Sequence, residues 1–140
     1  MKSLFLLSLI FLSTNSFSQS RDEQDIRKLM NDQVLAWNKG SIEEFMRGYW
    51  NNDSVMFVGK NGISYGYTTV LNNYKRNYRD TVQMGKLSYT LLKLDRLSAE
   101  YYLVIGKFFL KRSVGDLGGI YSLVLRKIKG KWFIISDHTS

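Results

Sequence analysis

The chain has 140 residues, no cysteine, one histidine and a formal net charge of +8. That leaves room for a single domain and excludes a disulfide framework, a lipid-modified cysteine at a processing site and a zinc site of the usual ligand types. With 44% hydrophobic and 14% aromatic residues, there is material for a core held by packing alone.

Lys2 is followed by Leu4 to Leu12, an apolar run broken only at Ser8, and then by small and polar residues including Ser16 and Ser18. This order is that of a secretion signal, set against the alternative of a buried N-terminal helix. The run is far shorter than the about 20 apolar residues a membrane span needs. The expectation is a signal over residues 1–18, cut near Ser18 or Gln19, and one domain over residues 19–140. The product would be periplasmic or secreted, with no membrane insertion after the signal is removed. Loss of Lys2 takes the charge from +8 to +7.

Ser20-Arg-Asp-Glu23 reads as a capping box, with Asp22, Glu23 and Asp25 favouring a positive helix start. Ile26, Leu29, Met30, Val34 and Trp37 follow at helical spacing, and Gly40 is placed to end that helix. Ser41-Ile-Glu-Glu44 repeats the cap and predicts a shorter helix with Ile42, Phe45, Met46 and Tyr49 on one side. Asp53 to Val58 has strand character. Gly59, Gly62 and Gly66 mark a loop, and a third helix starts near Gly66 with Tyr67, Val70, Leu71, Tyr74 and Tyr78 on one face.

From Leu87 the period becomes two: Leu87, Tyr89 and Leu91 alternate with Ser88 and Thr90. Tyr101 to Arg112, Ile120 to Ile128 and Lys131 to Asp137 read as three further strands, the last two joined by a tight turn at Lys129-Gly130. Helices followed by long antiparallel strands give an α+β domain.

The basic residues are dispersed along strands and turns, with no basic helix stripe and no aromatic–basic RNA-binding motif, so no nucleic-acid partner is expected. The glycines match neither a phosphate loop nor a dinucleotide fingerprint, and no cofactor is expected. Asp137 and His138 are neighbours on a strand end and should point to opposite faces, which leaves no hydrolase triad. Of the acids, Asp53 and Asp137 occupy positions that could face a pocket and serve as a general base.

Two capped helices, a short strand, a glycine-rich loop, a third helix and a strand meander ending in Asp137-His138-Thr139-Ser140 resemble the nuclear-transport-factor-2-like superfamily in its SnoaL-like, DUF4440-type branch of exported bacterial domains. The resemblance covers Ser20 to Ser140. It is carried by Ala36-Trp37-Asn38-Lys39-Gly40, by Gly59 to Gly66 and by Gly130-Lys131-Trp132 before the final strand. It implies a cone-shaped fold in which a curved antiparallel sheet wraps around three N-terminal helices, often with a ligand pocket and a homodimer formed through the outer sheet face. It points to Trp37, Tyr49, Trp50, Tyr65 and Tyr74 as pocket walls, and to Asp137 and His138 as polar groups near the mouth. The competing reading of each ring is plain core.

Three functions fit these residues. The first is an exported domain that binds a small apolar or aromatic molecule. The second is a cofactor-free proton-transfer enzyme (isomerase, dehydratase or cyclase) with Asp137 or Asp53 as base and a tyrosine as electrophile. The third is a dimeric assembly module without a ligand. The scarcity of acids and bases favours binding.

Overall fold

The computed structural model describes residues 15–140, with side-chain surroundings from residue 21 onward. The leader expected over residues 1–18 therefore lies outside the described residues as far as position 14. Helix α1, Asn15–Asn38, runs through the segment where a cap at Ser20 was expected. The helix does not start there. Asp22 instead turns inward and is 4% exposed, accepting hydrogen bonds from Lys127 Nζ at 2.7 Å and Trp132 Nε1 at 3.1 Å.

Asp22, Ile26, Met30, Gln33 and Trp37 form the buried stripe of α1, three or four residues apart. The helix gives way at Gly40, where φ is 87°. Ser41 Oγ then accepts from the Glu44 amide and starts α2, Ile42–Met46, which buries Ile42, Phe45 and Met46.

The expected glycine loop is a hairpin: β1, Met56–Gly59, pairs antiparallel with β2, Gly62–Tyr65. Helix α3 spans Tyr67–Asn77. An unforeseen short helix follows, α4, Thr81–Met84, capped by Asp80 through the Gln83 amide at 2.8 Å. The strands are β3 (Lys86–Arg96), β4 (Tyr101–Lys111), β5 (Leu117–Ile128) and β6 (Lys131–Thr139). Lys129 and Gly130, with φ of 49° and 78°, make the β5–β6 turn, the backbone that suits strand twist in a two-residue hairpin.

The six strands lie in the order β2-β1-β6-β5-β4-β3 in one curved sheet. Its antiparallel character fails at one place, because β1 runs parallel to β6. The cause is the approach of the chain. The segment after α2 already runs alongside β6, the Trp50 amide donating to the Ile134 carbonyl and the Ile134 amide to Gly48. β1 then continues in that direction.

Two bulges bend the sheet. Leu92 is the extra residue in β3 and Ile135 the extra residue in β6, where Leu125 pairs with Ile134 but Val124 with Ser136. The concave face carries the core, including Tyr102, Val104, Leu123, Leu125 and Ile134. Phe109, Leu117 and Ile120 remain exposed on β4 and β5.

The Asp22 cluster ties the start of the domain to β5 and β6. Its Lys127 side chain is 32% exposed and can turn to water if the carboxylate is lost, whereas Trp132 Nε1 cannot. Asp22→Ala is expected to lower the unfolding free energy by about 2–3 kcal/mol, measured by denaturant titration of the Trp fluorescence.

Candidate functional site

Between α1, α3 and the concave face of the sheet lies a cavity of about 140 Å³. Nine of its lining residues are aromatic, one is acidic, and none is Lys, Arg or His. Asn77 is the one exposed residue of that lining and marks the opening beside α3. Rings hold rings edge to face, the favoured arrangement for aromatic quadrupoles. Trp37 meets Tyr78 at 4.9 Å and 77°, and Phe45 meets Tyr74 at 5.3 Å and 66°. Trp37 spends its Nε1–H on the Met84 carbonyl at 3.0 Å, so it offers the cavity a face and no donor.

The polar end is built around Asp137, 4% exposed. Tyr49 donates to Oδ2 at 2.5 Å, Thr139 donates to Oδ1 at 2.7 Å, and the Tyr74 hydroxyl lies 3.3 Å from that of Tyr49. Burial pushes the Asp137 carboxyl above its ordinary range; the hydrogen bonds from Tyr49 and Thr139 and the charge of His138 offset only part of this. Burial likewise raises the Tyr49, Tyr74 and Tyr89 hydroxyls well above theirs, with the Asp137 charge adding to each, and pushes Tyr121 up to about 12. The phenols therefore act as neutral hydrogen-bond groups.

Two cavity-lining groups lack partners. Gln33, 2% exposed, donates Nε2 to the Phe45 carbonyl at 3.3 Å and leaves Oε1 unpaired. The Tyr121 hydroxyl is buried and unpaired as well. It crosses directly over Gly106, where a Cβ would stand 2.2 Å from the phenol oxygen. Only glycine lets Tyr121 reach that position.

Of the residues expected to form the site, Asp137, Trp37, Tyr49 and Tyr74 meet in this cavity. Four do not. Asp53 is exposed in the turn before β1, beside an Asn52 side chain that accepts the Ser54 amide. His138 is exposed on the opposite face of β6 from Asp137. Trp50 packs against the core but points away from the cavity, as a neighbour of Tyr49 in extended chain must. Tyr65 is 62% exposed on β2, the outermost strand. Sequence reasoning passed over Gln33, Tyr89, Tyr121 and Thr139. Gln33 could have been found, since it lies three residues after Met30 and four before Trp37, inside the apolar stripe.

No family model and no curated protein matches the chain. Solved structures do. An NTF-2-like protein of unknown function from Shewanella oneidensis MR-1 is 34% identical over 85% of this chain and 98% of its own, with a TM-score of 0.82. The chain belongs to the NTF-2-like family. Two more distant structures share the NTF-2-like fold. A cystatin-like-fold domain of unknown function from Nostoc punctiforme is 16% identical over 86% of this chain and 77% of its own, TM-score 0.72. The hexachlorocyclohexane dehydrochlorinase LinA-type3 from Novosphingobium barchaimii LL02 is 17% identical over 89% of each chain, TM-score 0.69. The NTF-2-like scaffold thus serves an enzyme in one case and leaves function to the individual cavity.

The raised Asp137 carboxyl has a definite sign. The folded state holds this proton to higher pH than the unfolded chain, so Asp137 contributes stability below the ordinary carboxylate range and loses it as pH rises through its folded value. Asp137→Asn removes the charge while keeping an acceptor. Its thermal midpoint should exceed that of the wild type at pH 8, with the gap closing as pH falls towards 4; a constant gap would contradict this account.

Proposed function

We propose that the domain binds one small, mainly apolar molecule in the aromatic cavity, with Asp137 and its hydroxyl partners reading a polar group on it. The observation that carries this is the combination of aromatic walls with a buried, hydrogen-bonded carboxylate and unpaired Gln33 and Tyr121 groups in the same cavity. Ligand sites have this composition, mostly apolar with a few placed polar groups. A self-filled assembly module would leave neither a void nor unpaired polar atoms facing it. An engineered apolar cavity of about 150 Å³ takes up benzene, which sets the size of the body that fits here.

A second reading rests on the Tyr49–Asp137 contact. In a cofactor-free proton transfer, the Asp137 carboxylate would take a proton from a carbon next to a carbonyl, and the unpaired Tyr121 hydroxyl would hydrogen-bond the carbonyl oxygen as negative charge develops. A dehydrochlorinase on the same scaffold is in keeping with carbon-acid chemistry.

For the binding reading, toluene should raise the thermal midpoint of the wild type, by about 2.7 kcal/mol of stabilisation at a hundredfold excess over its Kd. Val70→Phe, which fills the cavity from α3, should abolish that gain. Absence of any gain in the folded wild type would refute the pocket. For the second reading, wild type and not Asp137→Asn should accelerate α-deuterium exchange into cyclohexanone in D2O, followed by NMR; equal rates would exclude it.

A further inference from the structure

Three buried polar or charged residues stand out among the described residues: Asp22, Gln33 and Asp137. Asp22 is neutralised in place by Lys127. The other two both line the cavity, and each lacks a complementary group. Among the described residues, Asp137 has hydroxyl donors but no cation beside it on the concave face. His138 bears on it only from the opposite face of β6, where its side chain is exposed. Arg112, which acts electrostatically on Tyr78, commits its Nε to the Gly115 carbonyl and Nη1 to the Gln83 carbonyl.

The missing partner has a recognisable chemistry. A carboxylate can accept about four hydrogen bonds, and Tyr49 and Thr139 supply two. The free end of Gln33 is an acceptor, because its donor end is held by the Phe45 carbonyl. A buried carboxylate calls for a positive charge or a proton. Aromatic faces attract cations, most strongly where water is excluded. Acceptors, a negative charge and ring faces together describe a receptor for an N–H-bearing cation.

We propose that the cavity is a site for a small organic cation, a protonated amine on an apolar body of about six carbons, with Asp137 as counter-ion, Gln33 Oε1 as a further acceptor and the rings around the body. This names the ligand class of the pocket and rests on the binding reading above. The net charge of +8 opposes the approach of a cation, but exposed charges are screened over about 8–10 Å in physiological salt. That slows entry more than it weakens the bound state, where the adjacent unscreened charge is Asp137.

Benzylamine, benzyl alcohol and benzoate share one ring and differ in charge. Titrated into the intact domain at pH 8, with binding read by calorimetry, benzylamine should bind at least tenfold more tightly than benzyl alcohol, and benzoate should not bind. Asp137→Asn should remove the preference for benzylamine, bringing its affinity down to that of benzyl alcohol for the same variant or below it. Gln33→Leu, a milder change, should reduce the preference without abolishing it, and it supplies the variant test if Asp137→Asn does not fold. Benzyl alcohol binding as tightly as benzylamine to the wild type would overturn the cation assignment and leave the pocket standing. Failure of all three to bind the folded wild type would overturn the pocket itself, and this inference with it.

Discussion

The interior of this domain is organised around a carboxylate in an aromatic cavity. An ionised group moved from water into apolar surroundings is costly unless charge or hydrogen bonds compensate it. Here the compensation comes chiefly from hydroxyls, with a smaller share from the charge of His138: Tyr49 and Thr139 donate directly, and Tyr74 lies next along the chain of oxygens. Much of the architecture serves to hold these groups in register. Gly48, Tyr49 and Trp50 are anchored to β6 through backbone bonds with Ile134, which sets Tyr49 beside Asp137. Edge-to-face packing of Trp37, Phe45 and Tyr74 closes the other side.

Asp22 and Asp137 are equally buried, at 4% exposure, and have been put to different uses. Asp22 meets a lysine and an indole N–H from two strands and joins α1 to the sheet. Among the described residues Asp137 meets no lysine or arginine, and it lines a cavity. The first arrangement completes the fold, while the second leaves a carboxylate held only by hydroxyl donors at the wall of a cavity. Gln33, in the middle of the buried stripe of α1, belongs with the second group, since it lines the same cavity and its Oε1 is buried without a partner.

Local signals in the sequence carried most of the elements. The Ser41 cap, the Gly40 stop, the turn at Lys129-Gly130 and the period-two pattern of Leu87, Tyr89 and Leu91 depend on residues near one another in the chain, and each forms as read. Ser20-Arg-Asp-Glu23 carries an equally good local signal, yet α1 continues through it and Asp22 is drawn into a long-range contact with Lys127. Asp53 and Asp137 were indistinguishable as acids near strands. One lies in an exposed turn and the other is buried in the lining of the cavity.

The sequence by itself determined the α+β class, the order of the three longer-signalled helices and the four long strands, an aromatic interior and the exclusion of disulfide and zinc chemistry, because composition and short-range periodicity suffice for these. Which face of β6 turns inward was decided only in the tertiary structure. Simple alternation from Trp132 and Ile134 would bury Ser136 and send Asp137 outward. The extra residue at Ile135 reverses the parity, so Asp137 and Thr139 enter the cavity and His138 faces out. A bulge exists only in the pairing of two strands, here β6 against β5, and no pattern within Lys131–Thr139 alone specifies it.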